Sequence, residues 1–395
     1  MVQQAERMND IPFSSIRKVF EQVDQLKAQG RTIYPYYIGR PNFDTPAHIK
    51  EAAKQALDDG LVAYTSNYGL PELRQAISQK LLADNRLTVD PDREIIVTVG
   101  ANEAVLMAML GLLNPGDEVL IPDPMWLHYF YCAHLAGAKI VGVPLREADG
   151  FQLDPDEIER RITPRTRMIV VNSPHNPTGV VYTRDTLAKV AAIAAKHDLF
   201  VMSDEIYEKI IFDGAEHVSM ATFPEIADKT LTVNGFSKSY AMTGWRLGYV
   251  VAKPEIIGVL VRVHQYTTVC ATSFAQAGAN AALRGPQESI AQMVGEFDRR
   301  RRAIVEAFEG LPGASLVTPT GAFYAFPNLS ALGGDSEGIA RRLLTETGIA
   351  VVPGAAFGEY GEGHVRISYA CSLADVENGM AALAEFWRSA VPIQS

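Results

Sequence analysis

Between residues 70 and 251 the chain alternates two kinds of apolar pattern. Short β-branched or aliphatic runs stand at 94–99 (EIIVTV), 118–121, 139–143, 167–172 (RMIVVN), 199–203 (LFVMS), 231–234 and 247–251. Continuous runs of this length predict strands buried on both faces. Between them apolar residues recur at helical spacing over 71–83, 102–113, 125–136, 156–162 and 183–196, with Asn102 expected to cap its helix. The alternation predicts an α/β chain whose mostly parallel central sheet is covered by helices. Such sheets collect ligands at the carboxyl ends of their strands, so the residues just after each strand are where chemistry is expected.

The flanks read differently. Upstream, 14–29 carries Ile16, Val19, Phe20, Val23 and Leu26 on one helical face and ends at Gly30. The loop YPYYIGRPNFDTP follows, and a helix is predicted from Thr45-Pro46 to residue 57. Beyond Pro254, helices at 255–263, 275–283 and 287–308 precede strands at 322–326, 349–352 and 364–368, with helices at 337–346 and 373–388. The helix at 287–308 carries a charged face (Asp298, Arg299, Arg300, Arg301, Arg302). This is an α+β texture, and the change falls near 285–295.

Composition narrows the partners. The 395 residues suit about two domains, and 47% hydrophobic with 21% charged residues is a globular balance. With 36 basic against 46 acidic residues the net charge is −10, which disfavours nucleic acid or an anionic membrane as partner. Three scattered cysteines without a CxxC suit a reducing compartment. The polar start MVQQAERMND offers no signal-peptide core, and the longest apolar run, 104–113, falls short of the roughly 20 residues of a membrane span, so a cytoplasmic location is expected. No metal spacing and no GxSxG elbow is present, so no metal is expected.

Candidate chemistry sits at the strand ends. After 94–99 comes Gly100-Ala101-Asn102 and then a helix, an arrangement whose free amides and dipole suit a phosphate. After 167–172 comes SPHNPTG, a turn that would aim the Asn176 amide. After 199–203 come Asp204-Glu205 and Tyr207; a carboxylate at a buried strand end needs a cation or donors. The stretch TVNGFSKSYAMTGWRLG places Lys238 among small and apolar residues with Arg246 eight positions on, the setting of a Schiff-base lysine. In GHVRISYA, Arg366 lies between apolar strand residues, where its fork suits a carboxylate.

Taken in order, GRPNFDTP, AYTSNYGLPELR, VTVGANEA, SPHNPTG, SDEIYE, NGFSKSYAMTGWRLGY, VVPGAAFG and HVRISYA resemble the class I/II aminotransferases of fold type I, nearly end to end. The resemblance implies pyridoxal 5′-phosphate (PLP) as cofactor. It implies catalytic roles for Lys238 as the cofactor-bearing lysine, Asp204 at the pyridine nitrogen, and Tyr207, which with Asn176 bonds the ring oxygen. It further implies that Trp126 stacks on the ring and that Ala101, Asn102, Ser237 and Arg246 hold the phosphate, joined by Tyr64 of a neighbouring subunit in a homodimer. Arg366 would grip the substrate α-carboxylate, with Gly39, Asn176 and Trp126 beside the substrate. With the change of texture noted above, the chain divides into an N-terminal arm and part of a small domain (1–46), a large PLP-binding domain (47–290) and a C-terminal small domain (291–395).

The expected reaction moves the amino group of an L-amino acid to a 2-oxo acid by a ping-pong route. Related aspartate- and prephenate-type members carry a lysine at the position of Asn102. Without that cation the expected donors are aromatic or other neutral amino acids, with aspartate still open and 2-oxoglutarate as acceptor. Phe13, Tyr36, Trp126 and Tyr324 are expected to line an apolar side-chain pocket, and Arg262 is a second candidate for a distal carboxylate. The alternative on the same scaffold is a PLP-dependent carbon–sulfur β-lyase or another specialised biosynthetic enzyme.

Overall fold

The computed structural model describes residues 4–9, 11–13 and 15–391. Ser14, the expected helix start, and the side chain of Ile16 lie outside the described residues.

The first elements are α1 (Ser15–Ala28), β1 (Tyr34–Pro35), α2 (Ala47–Asp58) and α3 (Pro71–Asn85). The alternating region follows as β2 (Ile95–Thr98), α4 (Gly100–Leu112), β3 (Glu118–Asp123), α5 (Leu127–Leu135), β4 (Lys139–Pro144), α6 (Pro155–Arg161), β5 (Thr166–Asn172), α7 (Arg184–Lys196), β6 (Phe200–Asp204), β7 (Thr230–Gly235) and β8 (Gly248–Val251). Seven of these strands form one sheet in the order β2-β8-β7-β6-β5-β3-β4, in which β8 runs antiparallel to both neighbours. The α/β expectation with a mostly parallel sheet is therefore met.

Period-two alternation splits the strands between the two covering layers. Val119, Ile121, Met168 and Val170 face a core shared with Ala104, Val105 and Leu260, whereas Leu120, Ile169 and Val171 face one shared with Leu187, Val190 and Ala194. Ile95, Val97, Tyr249 and Val251 pack on Leu73, Ile77 and Ala279 at the β2 edge.

The chain continues through α8 (Pro254–Thr267), α9 (Ser273–Arg284) and α10 (Glu288–Glu309) to β9 (Tyr324–Ala325), α11 (Ser336–Arg342), β10 (Ile349–Ala350), β11 (Val352–Pro353), β12 (Val365–Ser368) and α12 (Leu373–Ala390). Strands β11, β12 and β9 form a small antiparallel sheet, and β10 pairs in parallel with β1, Tyr34 opposite Ile349. The expected single strand at 349–352 is thus divided between two sheets. The charged face expected on α10 is also partly buried. Arg301 is sunk against Phe212 and forks onto Asp213, its Nη1 and Nη2 donating to Oδ2 (2.6 Å) and Oδ1 (2.8 Å). A charge buried in this way needs its partner.

Among the described residues, no helix is long and apolar enough to cross a membrane.

Candidate active site

The carboxyl ends of β5, β6 and β7 open into a cavity of about 330 Å³. Its floor is Asp204, the last residue of β6 and 2% exposed. Tyr129, on α5, donates to its Oδ2 at 2.5 Å, and the Ile206 N–H donates to its Oδ1 at 3.1 Å. Burial is the main influence on this carboxyl; it pushes the pKa up to about 6 despite those donors. Asn172 on β5 ties the two strand ends together: its Nδ2 donates to the Asp204 carbonyl (3.1 Å) and its Oδ1 accepts from the Asn176 N–H (3.0 Å).

Lys238 follows β7 and points into the same cavity. Its Nζ donates to the Gly39 carbonyl at 2.7 Å and lies 5.7 Å from the ring centres of both Tyr207 and Phe323. Burial first, and then the positive charge of Arg366, draw its pKa down to about 8, outweighing the pull of Asp204 in the other direction. A lysine in this range holds a substantial neutral fraction near neutral pH, which a nucleophile or general base requires.

The far wall is built by Arg366, on β12 and 2% exposed. Its guanidinium lies over the rings of Tyr324 (4.5 Å) and Phe357 (4.9 Å). Nη1 donates to Asn176 Oδ1 and Nη2 to the Tyr37 carbonyl, both at 3.1 Å, while the buried Nε has no partner among the described residues. Tyr207 and Tyr324 share a hydroxyl hydrogen bond of 2.8 Å beside it. Gly39 is pressed against this group; a Cβ there would lie 2.8 Å from the Tyr324 hydroxyl.

The near wall is the start of α4. That helix begins at Gly100, not at Asn102, and no side chain caps it. The cap expected of Asn102 is therefore absent, and Glu103 accepts the Val99 N–H instead at 2.6 Å. Gly100 has φ +76°, and a Cβ on it would meet the Arg246 guanidinium at 2.5 Å. A Cβ on Gly248 would meet the Ala101 amide nitrogen at 2.6 Å. The two glycines let Arg246 and β8 close on the first turn of α4, leaving free amides beside a cation. Arg246 itself has φ +53°, a left-handed conformation that costs a non-glycine residue about 1–3 kcal/mol.

The expected site residues are thus brought together with one exception. Ala101, Asn102, Trp126, Ser237 and Arg246 line the cavity with Gly39, Asn176, Tyr207 and the three residues already placed. Tyr64 does not; it is 84% exposed on the outer surface. Of the expected side-chain pocket, Trp126 and Tyr324 line the cavity. Phe13 is instead 76% exposed, and Tyr36 is fully buried with its hydroxyl donating to the Asp375 carbonyl on α12. Arg262 is exposed and bonded to its own helix through the Gly258 carbonyl. Phe20 on α1 and Tyr37 take the places expected of Phe13 and Tyr36, in edge contact at 4.5 Å. Tyr129 and Arg40 were not singled out at all. The aromatic run of α5 is the only sign of Tyr129, and nothing in the spacing marks Arg40.

One layer behind Asp204 lies a buried cluster of Glu205, Glu208 and His217. Its carboxylates are met by protein donors: Ser203, Ser219 and His217 on Glu205, and Lys80 and Asn85 on Glu208. Burial alone would raise Glu208, but Lys80 holds it down at about 2. With its charges balanced internally, the cluster acts as a rigid footing for the β6 end.

The residues 32–383 match the sequence profile of the family described as aminotransferase class I and II. An aspartate aminotransferase of Pyrococcus abyssi is 44% identical over 378 residues, 95% of this chain and 96% of the relative. Aromatic-amino-acid aminotransferase 2 of Thermococcus litoralis is 40% identical over the same shares of each. The structure of the Thermus thermophilus aspartate aminotransferase with maleate superposes with a TM-score of 0.92 at 38% identity, covering 98% of this chain and 100% of that one.

Proposed function

The chain belongs to the class I and II aminotransferases, and on that premise we propose that its donor is an aromatic or other neutral L-amino acid and its acceptor 2-oxoglutarate, taken in turn by a ping-pong route. Enzymes of this family use PLP. The observation that carries the reading is the convergence of a low-pKa lysine, a buried carboxylate, an uncapped helix start and a buried arginine on one cavity.

The residues fit that cofactor. The α4 amides with Ser237 and Arg246 form an anion cradle that added Cβ atoms would fill. Asp204 offers a carboxylate to a protonated ring nitrogen, Asn176 and Tyr207 offer donors to a ring oxygen, and Trp126 offers a face. When bound, PLP supplies a carbonyl that takes up an amino group and a ring that accepts the electron pair released at the substrate Cα.

Each remaining task falls to the protein. Arg366 orients the substrate by its α-carboxylate through a two-pronged contact, and Gly39 keeps the space beside it open. Asn176 already holds Nη1 and so fixes the plane of the fork. The Lys238 amine takes the Cα proton and returns a proton on the other side of the transfer, a general base whose pKa lies close to working pH. Asp204, braced by Tyr129, would hold a negative charge at the ring nitrogen of a bound cofactor. Phe20, Tyr37 and Tyr324 supply apolar surface for the donor side chain, and the uncharged Asn102 offers no cation to a second carboxylate.

Tyr64 belongs to this reading as a residue donated across a homodimer. The 47–290 and 291–395 division, with 1–46 shared, and a cytoplasmic location complete it.

A donor screen tests the assignment: phenylalanine, tyrosine, alanine and aspartate with 2-oxoglutarate, then with pyruvate. Aromatic donors should lead with 2-oxoglutarate. Exclusive use of aspartate would overturn the donor class. Pyruvate and ammonia released without an acceptor would replace amino transfer by elimination as the main reaction.

A further inference from the structure

Four cations line the cavity, and three are engaged. Lys238 donates to Gly39, Arg246 to the Thr243 carbonyl, and Arg366 to Asn176 and Tyr37. Arg40 also lines it, yet among the described residues it has no hydrogen bond, ion pair or ring contact. An arginine left over on a surface is usually only solvated. The position of this one argues otherwise.

Its backbone is fixed from both sides. The Gly39 carbonyl accepts from the Lys238 amine, the Tyr324 hydroxyl leaves no room for a Cβ on Gly39, and the adjacent Cα lies only about 3.8 Å further along. Pro41 follows and restricts Arg40 to extended backbone. The side chain therefore springs from a rigid point next to the substrate arginine. It also borders a neighbouring cavity that shares Thr243 with the first, so it stands at the mouth between the two.

The charges point to what it meets. In the reading above Arg246 is committed to a phosphate, Arg366 to an α-carboxylate and Lys238 to the transferred amine. A dicarboxylic acceptor brings a second carboxylate, and Asn102 has no charge to give it. The wall of Phe20 and Tyr37 suits the donor and carries no positive charge for that carboxylate. We propose that Arg40 is the specificity-determining residue that receives the distal carboxylate of dicarboxylic 2-oxo acids, allowing one cavity to serve an apolar donor and an acidic acceptor in turn. The inference rests on the aminotransferase reading of the site.

The test uses the PLP-loaded enzyme and Arg40→Gln, with Arg40→Lys as a charge-retaining control. Maleate and 3-phenylpropionate, which cannot be transaminated, are titrated against the cofactor absorbance. Arg40→Gln should weaken maleate on the order of tenfold, the scale of a charge-assisted hydrogen bond at a partly screened mouth. Phenylpropionate affinity should stay unchanged, Arg40→Lys should recover part of the loss, and added salt should weaken maleate more in the parent than in the glutamine variant. In single turnovers from the amino form, the variant should slow with 2-oxoglutarate and not with phenylpyruvate. Equal losses for both ligands, or unchanged maleate affinity, would overturn the role of Arg40. If the parent itself moved no amino group, the functional reading would fall instead, and that outcome is separate from the binding result.

Discussion

The two ends of this cavity are built on different physical terms. At the inner end the reactive side chains are held before anything binds: Asp204 by Tyr129 and Ile206, Asn176 by Asn172, and Lys238 by Gly39. At the mouth Arg40 has no partner among the described residues, Phe20 is 40% exposed, and Asn102 carries no charge. The inner end is assembled in advance, whereas the mouth keeps groups without a partner among the described residues. Catalysis gains from donors and charges set in advance, because they need no reorganisation as the reaction proceeds. Accepting two unlike substrates gains from groups that are not already committed. The difference explains why reaction class is more firmly written in this molecule than side-chain preference.

The largest effect should come from the inner end. Lys238→Ala should reduce transamination by roughly 10⁴-fold or more, the upper range for loss of a positioned acid–base group, and abolish the visible absorbance of the loaded enzyme. Far-ultraviolet circular dichroism should remain that of the parent. Retained activity would remove the inner end from the chemistry altogether. Arg366→Ala comes next. Truncating a buried, hydrogen-bonded charge costs about 2–4 kcal/mol, so kcat/KM should fall roughly 30- to 1000-fold for every donor alike. A loss confined to one donor class would move Arg366 to the mouth side of the comparison.

The third prediction concerns pH. Lys238 has its pKa lowered to about 8, so its neutral form is the minority below that value and dominant above it. The rate at which cofactor-free protein captures PLP should therefore rise with pH, about tenfold per unit well below 8, and level off beyond it. Stopped-flow absorbance measures this, and a rise that continues without levelling off through pH 9 would show that burial does not tune the amine. A smaller effect is expected of Tyr129→Phe. It removes the donor to Asp204 Oδ2 and leaves the Ile206 amide, so PLP affinity should drop on the order of tenfold, with the spectrum's pH midpoint displaced. An unmoved midpoint would make Tyr129 a packing residue only. The smallest effect should come from the mouth. Phe20→Ala removes part of an apolar wall and should raise KM for phenylalanine by several-fold, within the range of about 1–3 kcal/mol for small changes in an apolar pocket, while leaving alanine unaffected.

The same contrast governs how much could be read from the sequence. The strands of the main sheet were legible because continuous aliphatic runs leave little choice of structure, and their ends located Asp204, Lys238 and Asn176. The start of α4 was misplaced by two residues, since Glu103 reaches back to the Val99 amide and makes an asparagine cap unnecessary. The two-residue strand β1 was invisible because its partner lies some three hundred positions away, at Ile349 and Ala350. Tyr129 sits in an aromatic helix where any ring would suit the pattern, and only the tertiary fold turns its hydroxyl onto Asp204. Phe20 was read correctly as part of a helix face, but which neighbour that face meets is not a local property. The mouth depends on such long-range placements almost entirely, which is why Phe13, Tyr36 and Arg262 were expected where Phe20, Tyr37 and Arg40 stand.

The bond between Lys238 and the Gly39 carbonyl reaches further than the lysine. Gly39 belongs to a segment that Arg366 and Ser368 also secure, through the carbonyls of Tyr37 and Ile38. Chemistry at the lysine nitrogen must surrender its share of that hold, worth about 1.5–3 kcal/mol for a charged donor. By linkage, loosening this segment and occupying the lysine favour each other by the same factor. Protease access to residues near 30–45 is then a gauge of whether Lys238 is engaged, legible from outside the cavity and without any turnover.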